Sequence, residues 1–226
     1  MGDSIFVGGV VSLTTVDYPG CLATAVFFQG CEWRCRYCQN GHLQSLLPTE
    51  SLPWEDILNL LQVRKGFVEA VVFSGGEPLL QKGLLRAVDD VKKMGFKIGL
   101  HTSGADPDRF AKVLPFLNWV GFDIKYSFDR YEEITRIKDS GKIAGKSLDL
   151  LIASHVAFEA RMTVHEKMKV DIIVAALKNI SSLGVKKMVL QKCRDRNENV
   201  VEHPIFSDKL TLDELAKCFD SFLVRG

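Results

Sequence analysis

Short apolar or β-branched runs alternate along the chain with longer stretches of helical period, which predicts a parallel sheet with helices between its strands. The strand segments are Leu22–Gln29, Ala70–Ser74, Lys97–His101, Trp119–Asp123, Ala157–Val164 and Lys187–Gln191. Helical segments lie between them at Pro53–Lys65, Gly83–Met94, Asp108–Leu114, Lys146–Ser154 and Lys167–Leu183, with a last one near Leu212–Leu223. Ser51, Pro53, Glu55 and Asp56 suit a helix start, and Gly95 and Gly184 suit helix stops. Ahead of these units, Val7–Leu13 is expected to pair with Leu22–Gln29 through the turn Asp17-Tyr18-Pro19-Gly20, making an N-terminal β-hairpin over about residues 5–29. Six βα units match neither the eight of a closed barrel nor a dinucleotide fold with its glycine fingerprint. The expected architecture is α/β, a partial, open (β/α)6 barrel in a single domain over residues 1–226, with its core at about 22–191 and a helical tail at about 205–226.

Charge and composition narrow the function. With 29 Lys and Arg against 28 Asp and Glu, the chain has no strong field for gathering polyanions, so no nucleic-acid partner is expected. The longest apolar runs, such as Ala23–Phe28, are far too short to cross a bilayer, and the first residues show no export signal, so no membrane association and a cytoplasmic location are expected. Three of six cysteines cluster at Cys31, Cys35 and Cys38, while Cys21, Cys193 and Cys218 stand apart. In a reducing cytoplasm, clustered thiols more often bind metal or do chemistry than pair as disulfides.

The segment Gly30-Cys31-Glu32-Trp33-Arg34-Cys35-Arg36-Tyr37-Cys38-Gln39-Asn40 carries a C-x3-C-x2-C spacing in one loop. Thiolates are soft ligands suited to iron–sulfur clusters and to zinc. Three ligands leave one metal position open, as a catalytic centre does, whereas structural zinc closes with four. His42 is the nearby candidate for a fourth, so on spacing alone a zinc loop stays open as an alternative. Three further polar segments end predicted strands: Gly75-Gly76-Glu77-Pro78, His101-Thr102-Ser103-Gly104 and Asp123-Ile124-Lys125. Strand ends of this kind gather at the carboxyl edge of a parallel sheet, so four loops are expected to face one cavity. Two glycines after a buried strand allow close backbone approach, and a carboxylate can hold an ammonium group. Taken singly, the same segments also read as a tight turn and as polar strand ends.

The cysteine loop resembles the signature of the radical S-adenosylmethionine (SAM) superfamily, C-x3-C-x-aromatic-C, with Tyr37 as the aromatic residue. That resemblance implies a partial barrel of the radical SAM type and a 4Fe-4S cluster on Cys31, Cys35 and Cys38, its fourth iron chelated by the amino and carboxylate groups of SAM. It implies that Tyr37 with the loop at Cys38 and Gln39 meets adenine, and that Gly75, Gly76 and Glu77 meet the amino group. Thr102, Ser103, Asp123, Ile124 and Lys125 would face the ribose and carboxylate. In activating enzymes of glycyl-radical proteins the matching loops read Asp-Thr-Asn-Gly and Asp-x-Lys, in some members with a bound monovalent cation. Here His101 replaces the acidic residue and Ser103 the asparagine, and neutral histidine is a poorer ligand for an alkali cation than a carboxylate. Phe158–His165 and Val189–Gln191 resemble segments that close the cavity behind the adenosine, with Arg161, Gln191 and Arg194 in reach.

Thr15-Val16-Asp17-Tyr18-Pro19-Gly20, Phe28-Gln29-Gly30-Cys31 and Ser147–Leu151 are most similar to the anaerobic ribonucleoside-triphosphate reductase activating proteins. The implied activity is reductive cleavage of SAM to a 5′-deoxyadenosyl radical, which takes hydrogen from a glycine of a glycyl-radical enzyme, here anaerobic ribonucleotide reductase. An electron donor such as flavodoxin or ferredoxin is implied as a further partner. The cofactor carries the chemistry, so no general acid or base is assigned. Between Asn40 and Ser51 there are no cysteines for an additional cluster module. Little chain follows the sixth strand, which leaves an open side suited to a protein loop. Two other readings stand beside this one: a radical SAM enzyme acting on a small molecule, of the 7-carboxy-7-deazaguanine synthase type, and a non-enzymatic iron–sulfur or zinc module.

Overall fold

The computed structural model describes residues 4–47, 51–195, 197 and 199–226. In chain order the elements are β1 (Val7–Thr14), β2 (Ala23–Phe28), α1 (Trp54–Arg64), β3 (Ala70–Gly75), α2 (Leu84–Lys93), β4 (Lys97–Thr102), α3 (Pro107–Val113) and β5 (Trp119–Asp123). Then follow α4 (Glu132–Thr135), α5 (Ser140–Ala153), β6 (Ala157–Val164), α6 (Val170–Ser182), β7 (Lys187–Lys192), α7 (Lys209–Ala216) and β8 (Ser221–Arg225). All eight strands form one sheet in chain order, β1 antiparallel to β2 and each later pair parallel. The sheet runs from β1 to β8 without joining those two edges, so the barrel is open.

Sequence explains most of these elements locally. The first four residues of β3, Ala-Val-Val-Phe, are buried on both faces, as a strand between the barrel interior and its outer helices must be. α2 buries Leu84, Ala87, Val88 and Val91, the i, i+3, i+4, i+7 stripe of an amphipathic helix. Just beyond α2 and α6, Gly95 and Gly184 turn to φ +91° and +107°, where a side chain would be strained. Among the described residues no helix is long and apolar enough to cross a membrane.

Two expectations are corrected. The segment read as a helix near Leu212–Leu223 divides: α7 ends at Ala216, and Ser221–Arg225 pairs with β7, Lys187 opposite Ser221 through Gln191 opposite Arg225. The barrel therefore has seven parallel strands, β2–β8, instead of six, and the tail is not wholly helical. Five residues are too few to show a strand period, and the unsatisfied backbone edge of β7 decides their conformation. The second correction is α5, which starts at Ser140, six residues before the expected Lys146. Gly141 and Gly145 weaken the helical pattern there, yet Gly141 lets the helix press on the carbonyl of Phe128 where a methyl group would collide.

The hairpin turn closes the foot of the barrel. Tyr18 lies with Ala23, Ala70, Val72 and Trp119 in an apolar cluster separate from the main core. A Cβ on Gly99 would stand 3.1 Å from the Tyr18 ring, so the bare backbone of β4 makes room for it. The Tyr18 and Trp119 rings are 5.5 Å apart, and His101 sits above at 5.5 Å from Trp119.

Candidate functional site

Four strand ends open on one cavity of about 340 Å3, lined among others by Cys31, Cys35, Tyr37, Cys38 and Gln39 from the first loop. Gly75, Gly76, Glu77, Thr102, Ser103, Asp123 and Lys125 from the next three loops share it. Of the residues singled out in the sequence, His42, Arg194 and Ile124 do not line it; the Ile124 side chain is fully buried in the main core, and its backbone N–H donates to the Arg161 carbonyl at 2.7 Å. A neighbouring cavity of about 1040 Å3 shares Cys35, Tyr37, Cys38, Gln39, Asn40 and Gln44 with the first and continues to His42, His165, Cys193 and Arg194.

Close backbone packing shapes the loops. Gly76 N donates to Phe28 O at 2.9 Å and Glu77 N to Gly30 O at 2.8 Å, stitching the second loop to the root of the cysteine loop. A methyl group on Gly75 would run into the Phe28 backbone, and one on Gly76 into the Gly30 carbonyl. The cysteine loop itself is held by Gly30 N to Leu43 O at 2.7 Å and Arg34 N to Thr135 O at 2.9 Å. Its Trp33 is buried edge-on against Tyr131 with ring centres 5.7 Å apart.

Glu77 departs from expectation. Its carboxylate is buried, and both oxygens are already engaged: Oε1 accepts from Leu79 N at 3.1 Å and Thr102 Oγ1 at 2.5 Å, Oε2 from Ser103 N at 2.9 Å and Ser103 Oγ at 2.5 Å. Glu77 thus clips the second loop to the third. Burial raises its pKa above the ordinary carboxylate value, against the opposing pull of these hydrogen bonds.

On the opposite wall Asp123 takes Arg161 Nε at 2.9 Å on one oxygen and Lys125 Nζ at 3.2 Å on the other. Burial works to raise its pKa, but Arg161 and Lys125 outweigh that and hold it at about 2. The guanidinium of Arg161 also donates to Gly121 O at 3.3 Å and fits because Gly121 lacks a side chain. His101 donates from Nε2 to the Asp17 carbonyl at 2.8 Å. Arg161 Nη1 comes within 3.4 Å of the same ring, so a fixed organic cation stands where His101 replaces the family's acidic residue.

Burial, helped by the Arg161 charge, lowers His101 to about 3 from 6.5. The unfolded chain takes up this proton first as the pH falls, so the contribution to stability is complete above 6.5 and is lost progressively toward 3. Between pH 7 and pH 5, the unfolding free energy of the wild type is expected to fall by about 2 kcal/mol relative to His101→Asn, measured by urea titration at each pH. Equal pH dependence in the two proteins would remove His101 from the account.

Sequence reasoning missed Tyr131, whose hydroxyl accepts from Lys125 N at 2.9 Å and fixes the end of β5. It also assigned no role to the lining residues Trp33, Asn40, Gln44 and Ser74, while Thr163 lines the cavity from within the expected segment Phe158–His165. Asn40, which donates to Gly75 O at 3.2 Å, directly follows the cysteine loop and was the one findable signal.

The donor set suits a cubane. Cys31, Cys35 and Cys38 are all free thiols on the cavity wall, and among the described residues no three His, Cys, Asp or Glu side chains converge on the point of a single ion. A 4Fe-4S cluster takes each thiolate at a different corner. Replacing Cys21, Cys193 and Cys218 together by alanine is expected to leave the iron content of anaerobically reconstituted protein unchanged. A large loss of iron would transfer ligation to one of them.

A family profile described as the radical SAM superfamily matches residues 25–191. A Methanocaldococcus jannaschii protein, named provisionally as a glycyl-radical enzyme activating enzyme, is 28% identical over 97% of this chain and 95% of its own. The pyruvate formate-lyase-activating enzyme of Clostridium pasteurianum is 34% identical over 56% of this chain and 55% of its own. Streptococcus suis SuiB, solved with bound SAM, superposes at a TM-score of 0.65 and 10% identity over 88% of this chain and 48% of its own, a likeness of fold alone. The chain spans about half the length of these last two proteins. The matched stretch begins inside β2, takes in all four loops of the cavity and ends in β7, and the chain belongs to the radical SAM superfamily, whose members use a 4Fe-4S cluster and SAM.

Proposed function

We propose that this protein is a glycyl-radical enzyme activase, and that its partner is an anaerobic ribonucleoside-triphosphate reductase. The observation that carries the reading is the single cavity in which three cluster-spaced thiols face the Gly-Gly-Glu, Thr-Ser and Asp-x-Lys strand ends, with an open cavity alongside. The near full-length similarity to a provisionally named activating enzyme supports the choice of a protein substrate.

With cluster and SAM bound, the pair supplies reductive cleavage of the sulfonium and the carbon radical that takes hydrogen from a partner glycine. The residues of the chain bind and orient. Cys31, Cys35 and Cys38 hold the cluster, and Tyr37 with Cys38 and Gln39 forms the adenine wall. Gly75 and Gly76 bring their backbone to the amino group while Glu77 holds the loop that does so. Thr102, Ser103, Asp123 and Lys125 surround the ribose and carboxylate. Thiols aside, the charged residue types on the wall are Asp17, Glu77 and Asp123 against Lys125 and Arg161, a formal balance of one negative charge. SAM, with a sulfonium, an ammonium and a carboxylate, carries one net positive charge, so wall and ligand are complementary.

The wider cavity beside the cysteine loop offers the approach for the partner's glycine segment. Electrons are proposed to come from flavodoxin or ferredoxin in a reducing cytoplasm. The test is anaerobic mixing of cluster-loaded protein, SAM and dithionite with the candidate reductase. A SAM-dependent glycyl doublet in the electron paramagnetic resonance spectrum is expected. Formation of 5′-deoxyadenosine without any protein radical would favour a small-molecule substrate, and no 5′-deoxyadenosine at all would leave a non-enzymatic module.

A further inference from the structure

At the foot of the barrel, remote from the cysteine loop, three reactive side chains meet at the entrances to three neighbouring strands. Cys21 precedes β2, Glu69 precedes β3 and Lys97 opens β4. The register of Ala23 beside Ala70 and Ala70 beside Lys97 fixes their spacing. Lys97 Nζ stands 3.4 Å from Cys21 Sγ and 3.3 Å from Glu69 Oε2, and the same carboxylate oxygen lies 3.9 Å from the Cys21 sulfur. Cys21 is partly exposed, and Lys97 and Glu69 are about half exposed, so a small oxidant reaches all three. Neither the cavity nor the proposed activity uses them.

We infer that Cys21 and Lys97 form an oxidant-dependent covalent sulfur–nitrogen link, with Glu69 as the proton acceptor. In the first step a peroxide oxidises the Cys21 thiol to a sulfenic acid: sulfur gives up two electrons, the O–O bond breaks, and one water leaves. In the second, the Lys97 amine attacks that sulfur; the S–N bond forms, the S–O bond breaks, and the hydroxyl leaves with one amine proton as a second water. The ammonium proton that must depart beforehand has Glu69 beside it. Hydrogen bonds from Lys97 to Cys21 first, then to Glu69, hold the ammonium pKa above its ordinary value, so loss of that proton is the demanding part of the second step. Contact already exists before reaction, so the sheet supplies proximity that a free lysine lacks.

The link would matter because the same corner holds the hairpin turn that carries Tyr18. Cys21 N donates to Tyr18 O at 3.2 Å, and the adjoining Asp17 carbonyl carries the His101 hydrogen bond at the floor of the cavity. Joining β4 to Cys21 fastens this turn to the sheet.

The test treats cluster-loaded full-length protein with limiting hydrogen peroxide, then maps peptides by mass spectrometry with and without a thiol reductant. Dimedone in a parallel sample traps sulfenic acid. The expected result is one linked Cys21–Lys97 peptide pair, lighter than the two separate peptides by two hydrogens, that is released by the reductant. Lys97→Arg keeps the charge but not the nucleophile and should lose the linked pair while dimedone still labels Cys21; Cys21→Ser should lose both signals. The inference is overturned if wild-type Cys21 becomes sulfenic or sulfinic acid while Lys97 stays fully reactive toward an amine reagent, or if Cys21 is not oxidised at all.

Discussion

Cys35→Ala is expected to give a folded protein that binds little iron and cleaves SAM at least about 10^3-fold more slowly than the wild type. Folding should survive because the loop is held without the cluster, by Gly30 N to Leu43 O, Arg34 N to Thr135 O and the buried Trp33. Coordination should fail because two thiolates cannot anchor a cubane that needs three protein ligands. The protonation state sharpens the experiment. Burial, with Glu77 nearby, pushes the Cys31 thiol up to about 12, and burial also raises Cys35. Iron must displace those protons, so reconstitution is proton-releasing and favoured at higher pH. Iron analysis, circular dichroism and 5′-deoxyadenosine yield, measured on the same preparations, separate the possibilities: wild-type iron in C35A would end the three-cysteine assignment.

Glu77→Leu is the second large effect, expected to lower the unfolding free energy of the cluster-free protein by about 3–5 kcal/mol. Four donors, from Leu79, Thr102 and twice from Ser103, would lose their acceptor in a buried place. Glu77→Gln should fall between, since the amide keeps one acceptor oxygen but turns an NH2 toward a site that needs an acceptor. A double-mutant cycle completes the argument: Ser103→Ala should cost much less in the E77L background than in the wild type. Additive losses, read from denaturant titrations, would show that the clip between the two loops contributes nothing.

The strands from β2 to β7 were legible because each is a short apolar run bounded by turn residues, and β5 and β6 fall on the expected residues. The cysteine loop was legible because its spacing is local. The eight residues from Cys31 to Cys38 carry no such information about their neighbours; what buttresses them is Tyr131 and the short α4, about a hundred positions later. That segment has no long amphipathic stripe and so no signal of its own. β8 was unreadable for a related reason, its conformation being set by the partner strand.

Glu77 shows where the boundary lies. Composition and spacing alone established the βα alternation, the three clustered thiols and the presence of polar residues at four strand ends, because these depend on hydrophobic period and on contacts within one loop. Tertiary structure decided what the polar residues do to each other: that Glu77 takes three of its four donors from the third loop, that Arg161 lies across Asp123, that Ile124 turns into the core, and that Ser221–Arg225 extends the sheet. Those outcomes rest on distances between residues far apart in the chain, and such distances come into being only when the sheet assembles.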